Sequence, residues 1–153
     1  MHLSDEKLAS GLTGHGEDAE LKAAVYARVT TAVGFTRMLS PLGNYFIARP
    51  AARAAAHEMT EKTGVPLDAA VALGLSAKAL HVWGADPMLN RVGDYLGEVP
   101  LERISAMTAT PGRSWQKLSI TLDGGQKVDL EARGASHALV AAFNQMTSAA
   151  EQS

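Results

Sequence analysis

The 153 residues contain no cysteine. Disulfide frameworks, zinc–thiolate centres and thiol nucleophiles are therefore excluded. That absence suits a reducing compartment. No apolar run approaches the ~18 uncharged residues of a membrane span. The longest candidate, residues 33–50, holds Arg37 and is interrupted by Pro41. The first residues, MHLSDEKLASGLTGHGEDAE, lack the basic and apolar regions of a secretory signal. The expectation is a cytoplasmic protein. Hydrophobic residues make up 46% of the chain, too many for intrinsic disorder and enough for one domain with its own core.

Acid is absent where base is dense. Residues 1–20 carry Asp5, Glu6, Glu17, Asp18 and Glu20 against Lys7. Residues 21–57 then carry no acid, but hold Lys22, Arg28, Arg37, Arg49 and Arg53. Four of the chain's eight Phe, Tyr and Trp residues fall there too: Tyr26, Phe35, Tyr45 and Phe46. A basic, aromatic, acid-free stretch is suited to an anion or an anionic membrane surface. Scattered arginines in alanine-rich sequence are also common without such a role. The net charge of -2 and the lack of an aromatic-basic sheet motif speak against nucleic acid.

Periodicity divides the chain into a polar tail, residues 1–18, and one domain, residues 19–150. LKAAVYARVT, residues 21–30, alternates as a strand does. Phe35, Leu39, Leu42 and Phe46 then fall at i, i+4, i+7 and i+11, a helical stripe. Pro41 would break it, yet Ser40-Pro41 can begin a short helix. A second helix is predicted from Pro50, PAARAAAHEMTEKTG, with pairs His57–Glu61 and Glu58–Lys62 and Gly64 as its stop. Beyond Gly64 the period becomes two. Val71, Leu73 and Leu75 alternate with small residues, and Leu80 and Val82 with His81 and Trp83. Residues 84–94 read as a loop, with weaker strands at 95–99 and 102–109. Leu118, Ile120 and Leu122 lead through Asp123-Gly124-Gly125, a hairpin turn, into Val128 and Leu130. Leu139, Phe143 and Met146 mark a closing amphipathic helix. Grouped strands with a separate last helix predict an α+β fold: about seven strands, a helical insertion at 33–63 and a C-terminal capping helix.

Chemical motifs are scarce. HEMTE, residues 57–61, lacks the second histidine of a zinc protease. GLTGHGEDAE follows no strand and is acidic, unlike a phosphate loop. There is no G-x-S-x-G elbow. The five histidines are dispersed, and His81 is expected at the surface or on a sheet face. Asp86, Asp94 and Glu98 could gather as carboxylates but fit a solvated edge better. No catalytic residue, metal site or cofactor is assigned.

LGLSAKALHVWGAD followed by LGEVPLERISAMT, then LSITLDGGQKVDLEAR and a helix, resembles the bacterial PH-like (pleckstrin-homology-like) domains. The resemblance covers residues 67–148, with 21–30 as the first strand, and rests on apolar and turn patterns. It implies a PH-like antiparallel barrel or sandwich of about seven strands with the C-terminal helix as its cap. Many members bind inositol phospholipids through basic residues in and after the first strand, whereas others bind peptides or scaffold. Arg37, Arg49 and Arg53 match no family position, so no family site is carried over. The expected function is a non-enzymatic binding or adaptor module. Its candidate surface is Phe35, Arg37, Leu39, Leu42, Tyr45, Phe46, Arg49 and Arg53, docking to an anionic membrane surface or a protein partner. The alternative is a homo-oligomer, such as a homodimer, or an assembly subunit whose apolar insertion packs on the sheet or on another chain. A weaker third idea is an enzyme using His81 or His57 with a carboxylate.

Overall fold

The computed structural model describes residues 21–29, 53–86, 91–110, 115–133 and 136–152. Seven strands form one antiparallel sheet: β1 (Leu21–Val29), β2 (Ala70–Ser76), β3 (Ala79–Asp86), β4 (Arg91–Pro100), β5 (Ile104–Thr110), β6 (Gln116–Leu122) and β7 (Lys127–Arg133). Their spatial order is β4-β3-β2-β1-β7-β6-β5. The first strand thus joins a four-stranded half to a three-stranded half. Helix α1 covers residues 53–63, and α2 (Ser136–Gln152) ends the chain.

The two halves follow from alternation. Val25, Ala27, Val71, Leu73, Leu75, Leu80 and Val82 turn to one side, as do Leu118, Ile120, Val128 and Leu130 from the other half. Together they form one core with Ile104 and Met107. Helix α2 places Leu139 and Phe143 in that core and packs against β1, β5 and β2. Burying a side chain of this size contributes roughly 1.5–3 kcal/mol, so α2 closes the core rather than decorating it.

Helix α1 contributes buried Ala56, with Ala55 and Met59 packed beside it. Its C-terminus is tightly tied. Gly64 has φ 78° and its N–H donates to Thr60 O at 2.8 Å, so the expected stop is a left-handed glycine cap. Thr63 Oγ1 donates to Met59 O, and Arg103 Nη2 donates to Thr63 O at 3.1 Å. Gln126 Nε2, beside the β6–β7 turn, donates to Lys62 O. The predicted pairs form as well, His57–Glu61 at 3.1 Å and Lys62–Glu58 at 3.0 Å. Both are solvent-exposed, and such pairs are worth about 0.3–0.5 kcal/mol.

Three boundaries differ from expectation. Residues 84–86 extend β3, and 91–94 begin β4, where composition suggested a loop. Here Gly84 and Gly93 face each other across the two strands, a Cβ at Gly93 standing 3.4 Å from Gly84 O, an ordinary contact. The register slips between Val82 and Ala85 opposite β4, and such bulges accommodate small residues. Residues 101–103 form a 3₁₀ turn ahead of β5, so the strand expected at 102–109 starts two residues later. Residues 1–18 lie outside the described residues, as does most of the expected insertion. Among the described residues, no helix is long and apolar enough to cross a membrane.

Candidate functional site

Of the candidate surface, Arg53 alone is described. It is exposed on the first described turn of α1 and approaches Asp68 at 3.5 Å. Phe35, Arg37, Leu39, Leu42, Tyr45, Phe46 and Arg49 lie outside the described residues. The side chains that the fold does bring together lie on the outward faces of the sheet.

The outward faces of the two halves differ in kind. Across β5–β7 the outward positions are Thr108, Thr110, Lys117, Ser119, Thr121, Lys127, Asp129 and Glu131. Ser119 Oγ donates to Asp129 Oδ1 at 2.6 Å, and Lys117 stands opposite Glu131. That is a solvated face with its charges distributed in opposite-sign neighbours. Across β1–β4 the outward positions are mostly small or aromatic, with Arg28 beside β7 and His81 opposite Glu98 as the exceptions. Cross-strand register aligns Tyr26, Ala72, Trp83 and Tyr95 in one row over four strands. Tyr26, Ala70, Ala72, Trp83 and Ala85 form a second buried apolar cluster there.

His81 lies within this apolar face. Its Nδ1 is 2.9 Å from Tyr95 Oη and its Nε2 is 3.2 Å from Ser76 Oγ. Glu98 Oε2 stands 3.7 Å from Nδ1. The serine–histidine–carboxylate order invites comparison with a hydrolytic triad. Exposure argues otherwise. His81 and Ser76 are both 0% exposed. Ser76 Oγ also accepts from the backbone N–H of Ala79 and lies 3.1 Å from Ala79 O. One hydroxyl proton serves either Ala79 O or His81 Nε2. The serine therefore clips the β2–β3 hairpin, and the histidine links that clip to β4. His81 is on a sheet face, as alternation predicts, but it is buried rather than at the surface. Tyr95 and Trp83 pack tilted against it, with ring centroids 5.8 and 5.9 Å from the imidazole.

A second cluster straddles β1 and β7. Arg28 donates from Nε and Nη2 to Glu131 Oε2, at 2.9 and 2.7 Å. Its guanidinium lies 3.8 Å above the Trp115 ring. Arg133 approaches the same ring at 5.9 Å, and Tyr26 packs against it at 5.9 Å, tilted by 53°. Charge-assisted hydrogen bonds and cation–π contact hold Arg28 in one orientation. Sequence reasoning noted Arg28 and Tyr26, and placed Glu131 opposite the apolar face of Val128 and Leu130, but did not note Trp115 or Arg133. The same alternation could have put Arg133 on the outward face of β7. Nothing local could have paired β7 with β1, more than 100 residues away. Asp86, Asp94 and Glu98 lie on β3 and β4. Among the described residues, no group of three or more His, Asp or Glu could hold a metal ion.

No protein-family model matches the chain. No curated protein matches it either.

Proposed function

We propose that the chain is a non-enzymatic binding module of PH-like layout, docking to an anionic surface through residues 33–53. The observation that carries this reading is the arrangement of elements. Four strands and three strands meet at β1, and a C-terminal helix closes the core between them. This is the layout that the sequence resemblance implies. The histidine with serine and carboxylate neighbours is sealed from solvent, which favours a supporting role for it. Arg53, exposed on α1, is the last base of the acid-free stretch, and its engagement with Asp68 is loose enough to exchange for another anion.

Co-sedimentation with phosphatidylserine vesicles at low and high salt tests the reading. Binding that is lost in salt and weakened by Arg49→Glu and Arg53→Glu is expected. Retention of folded Arg49→Glu protein on vesicles at wild-type level would sink docking through this segment. An acidic protein partner would need the same arginines.

One observation favours self-assembly as a second reading. Strand β5, ISAMTAT, is an edge of the sheet and carries neither charge nor proline. Edges of that kind pair with other strands. The opposite edge, β4, is protected by Arg91, Asp94, Glu98, a bulge and terminal Pro100. Light scattering distinguishes the readings. A stable dimer that Thr108→Lys dissociates places β5 at an interface between copies.

A further inference from the structure

Two arginines share one indole where the two half-sheets meet, on their outward face. Arg28 stands opposite Glu131 across β1 and β7, and Tyr26 stands opposite Arg133 in the next outward row. Trp115 immediately precedes β6, and Lys117 faces Glu131 from that strand. The Arg28 guanidinium lies 3.8 Å from the ring centre and donates two hydrogen bonds to Glu131 Oε2. Arg133 reaches the same ring at 5.9 Å. Its side chain forms no hydrogen bond or ion pair among the described residues, and neither does that of Lys117. Asp129, the next outward acid along β7, accepts from Ser119 Oγ at 2.6 Å. One guanidinium on the indole thus has a carboxylate, and the other has none.

We propose that Arg133, Trp115 and Lys117 form a binding site for a carboxylate carried on an apolar stem. The Arg28–Glu131 contact is the template. There a guanidinium seated on the indole takes a carboxylate through two charge-assisted hydrogen bonds. Arg133 approaches the same indole without such a partner, and its planar fork of donors fits a carboxylate equally well. Arg133 and Trp115 are half-buried and Lys117 is exposed, so a ligand from outside the chain reaches all three. Glu131 selects the charge of that ligand. Beside it a monoanion meets less repulsion than a phosphate monoester, which carries about two charges. The aromatic rings select the stem. Tyr26 packs on Trp115 at 5.9 Å, and an apolar group next to the carboxylate removes ring surface from water that a hydrated inorganic anion leaves wet. Lys117 supplies a second cation at the rim.

The site stands on β1, β6 and β7 and uses none of residues 33–53. It therefore does not depend on vesicle binding, and either can fail alone. A carboxylate on an apolar stem has two sources, a small organic acid or the C-terminus of a peptide with an apolar last residue. Both present the same group to Arg133.

The test is made on the intact, isotope-labelled protein by NMR. The Trp115 indole N–H and Arg133 Nε–H signals are followed as phenylacetate is added, and a saturable shift of both is expected. Phenylacetamide, which has no charge, and phenyl phosphate, which has about two, should bind several-fold more weakly. Arg133→Gln should weaken phenylacetate binding about ten-fold, the loss of one charge-assisted contact. Glu131→Gln should strengthen it several-fold, because it removes the nearby negative charge and frees Arg28. The absence of a saturable shift would overturn the proposal. So would equal or tighter binding of the amide or the phosphate, or an affinity that Arg133→Gln leaves unchanged. If a variant does not fold, the three ligands on the unaltered chain decide. The dipeptide Gly-Phe with a free carboxylate separates the sources: tighter binding than phenylacetate supports a peptide end, and weaker binding supports a small acid.

Discussion

Trp83 lies over Gly74 on the neighbouring strand, so closely that a Cβ at Gly74 would stand 3.0 Å from Trp83 Cζ3. Leu21 Cδ1 stands equally near, at 3.0 Å. The glycine is there for space rather than for backbone freedom. It leaves the edge of the Trp83 ring and the end of Leu21 room that an added methyl would crowd.

Gly74→Ala should therefore destabilise the fold by about 1–3 kcal/mol, the usual cost of overpacking a filled site. Urea unfolding measures it. Trp83→Leu in the same background should recover part of the loss, because the smaller side chain vacates the space. Additive losses would show that the indole is not what the new methyl meets.

The buried His81 bridge predicts an ordered series. Tyr95→Phe removes the hydroxyl at 2.9 Å from Nδ1 and should cost about 1 kcal/mol. His81→Ala removes a fully buried ring as well and should cost about 2–4 kcal/mol. Thermal or urea unfolding checks both. Equal costs for the two would mean that the hydrogen bond, not packing, carries the role of the imidazole.

Arg28, Glu131 and Trp115 form one coupled unit. A double-mutant cycle on Arg28→Ala and Glu131→Ala should give a coupling of about 0.5–1.5 kcal/mol, since two hydrogen bonds are charged but the arginine is only half-buried. Trp115→Ala should lower that coupling, because the guanidinium then loses the ring that orients it. Stability from chemical denaturation supplies every corner of the cycle.

Ser136 is 0% exposed and, among the described residues, its Oγ has no hydrogen-bond partner. A buried hydroxyl without a partner is a desolvation cost without return. Ser136→Ala should leave stability unchanged or raise it by up to about 1 kcal/mol. A loss above that in differential scanning calorimetry would mean that the hydroxyl acts as a cap for α2.

The candidate site was less legible than the fold. Arg28 was visible as a basic residue late in β1, but its orientation comes from Glu131 and Trp115, which lie in other strands. Charge composition shows that cations are present. It does not show which of them have carboxylates, because pairing depends on strands distant in sequence. His81 shows the same limit. Alternation placed it on a sheet face, opposite Leu80 and Val82, and that placement is correct. Whether a sheet face meets water depends on the layers stacked upon it, which no local pattern encodes.

Local physics determined a good deal. Alternation in 71–75, 118–122 and 128–130 named the core positions, and the Asp123-Gly124-Gly125 turn joined β6 to β7. The i, i+4, i+7 spacing of Leu139, Phe143 and Met146 named the buried side of α2, and Gly64 ended α1. These features depend on side chains a few residues apart, so the sequence alone carries them. Tertiary structure decided the rest. It set β1 between β2 and β7, drew residues 84–86 and 91–94 into strands, and made one outward face polar and the other apolar. Each of these depends on which backbone donors meet which acceptors across long separations, and that is resolved only when the whole sheet closes.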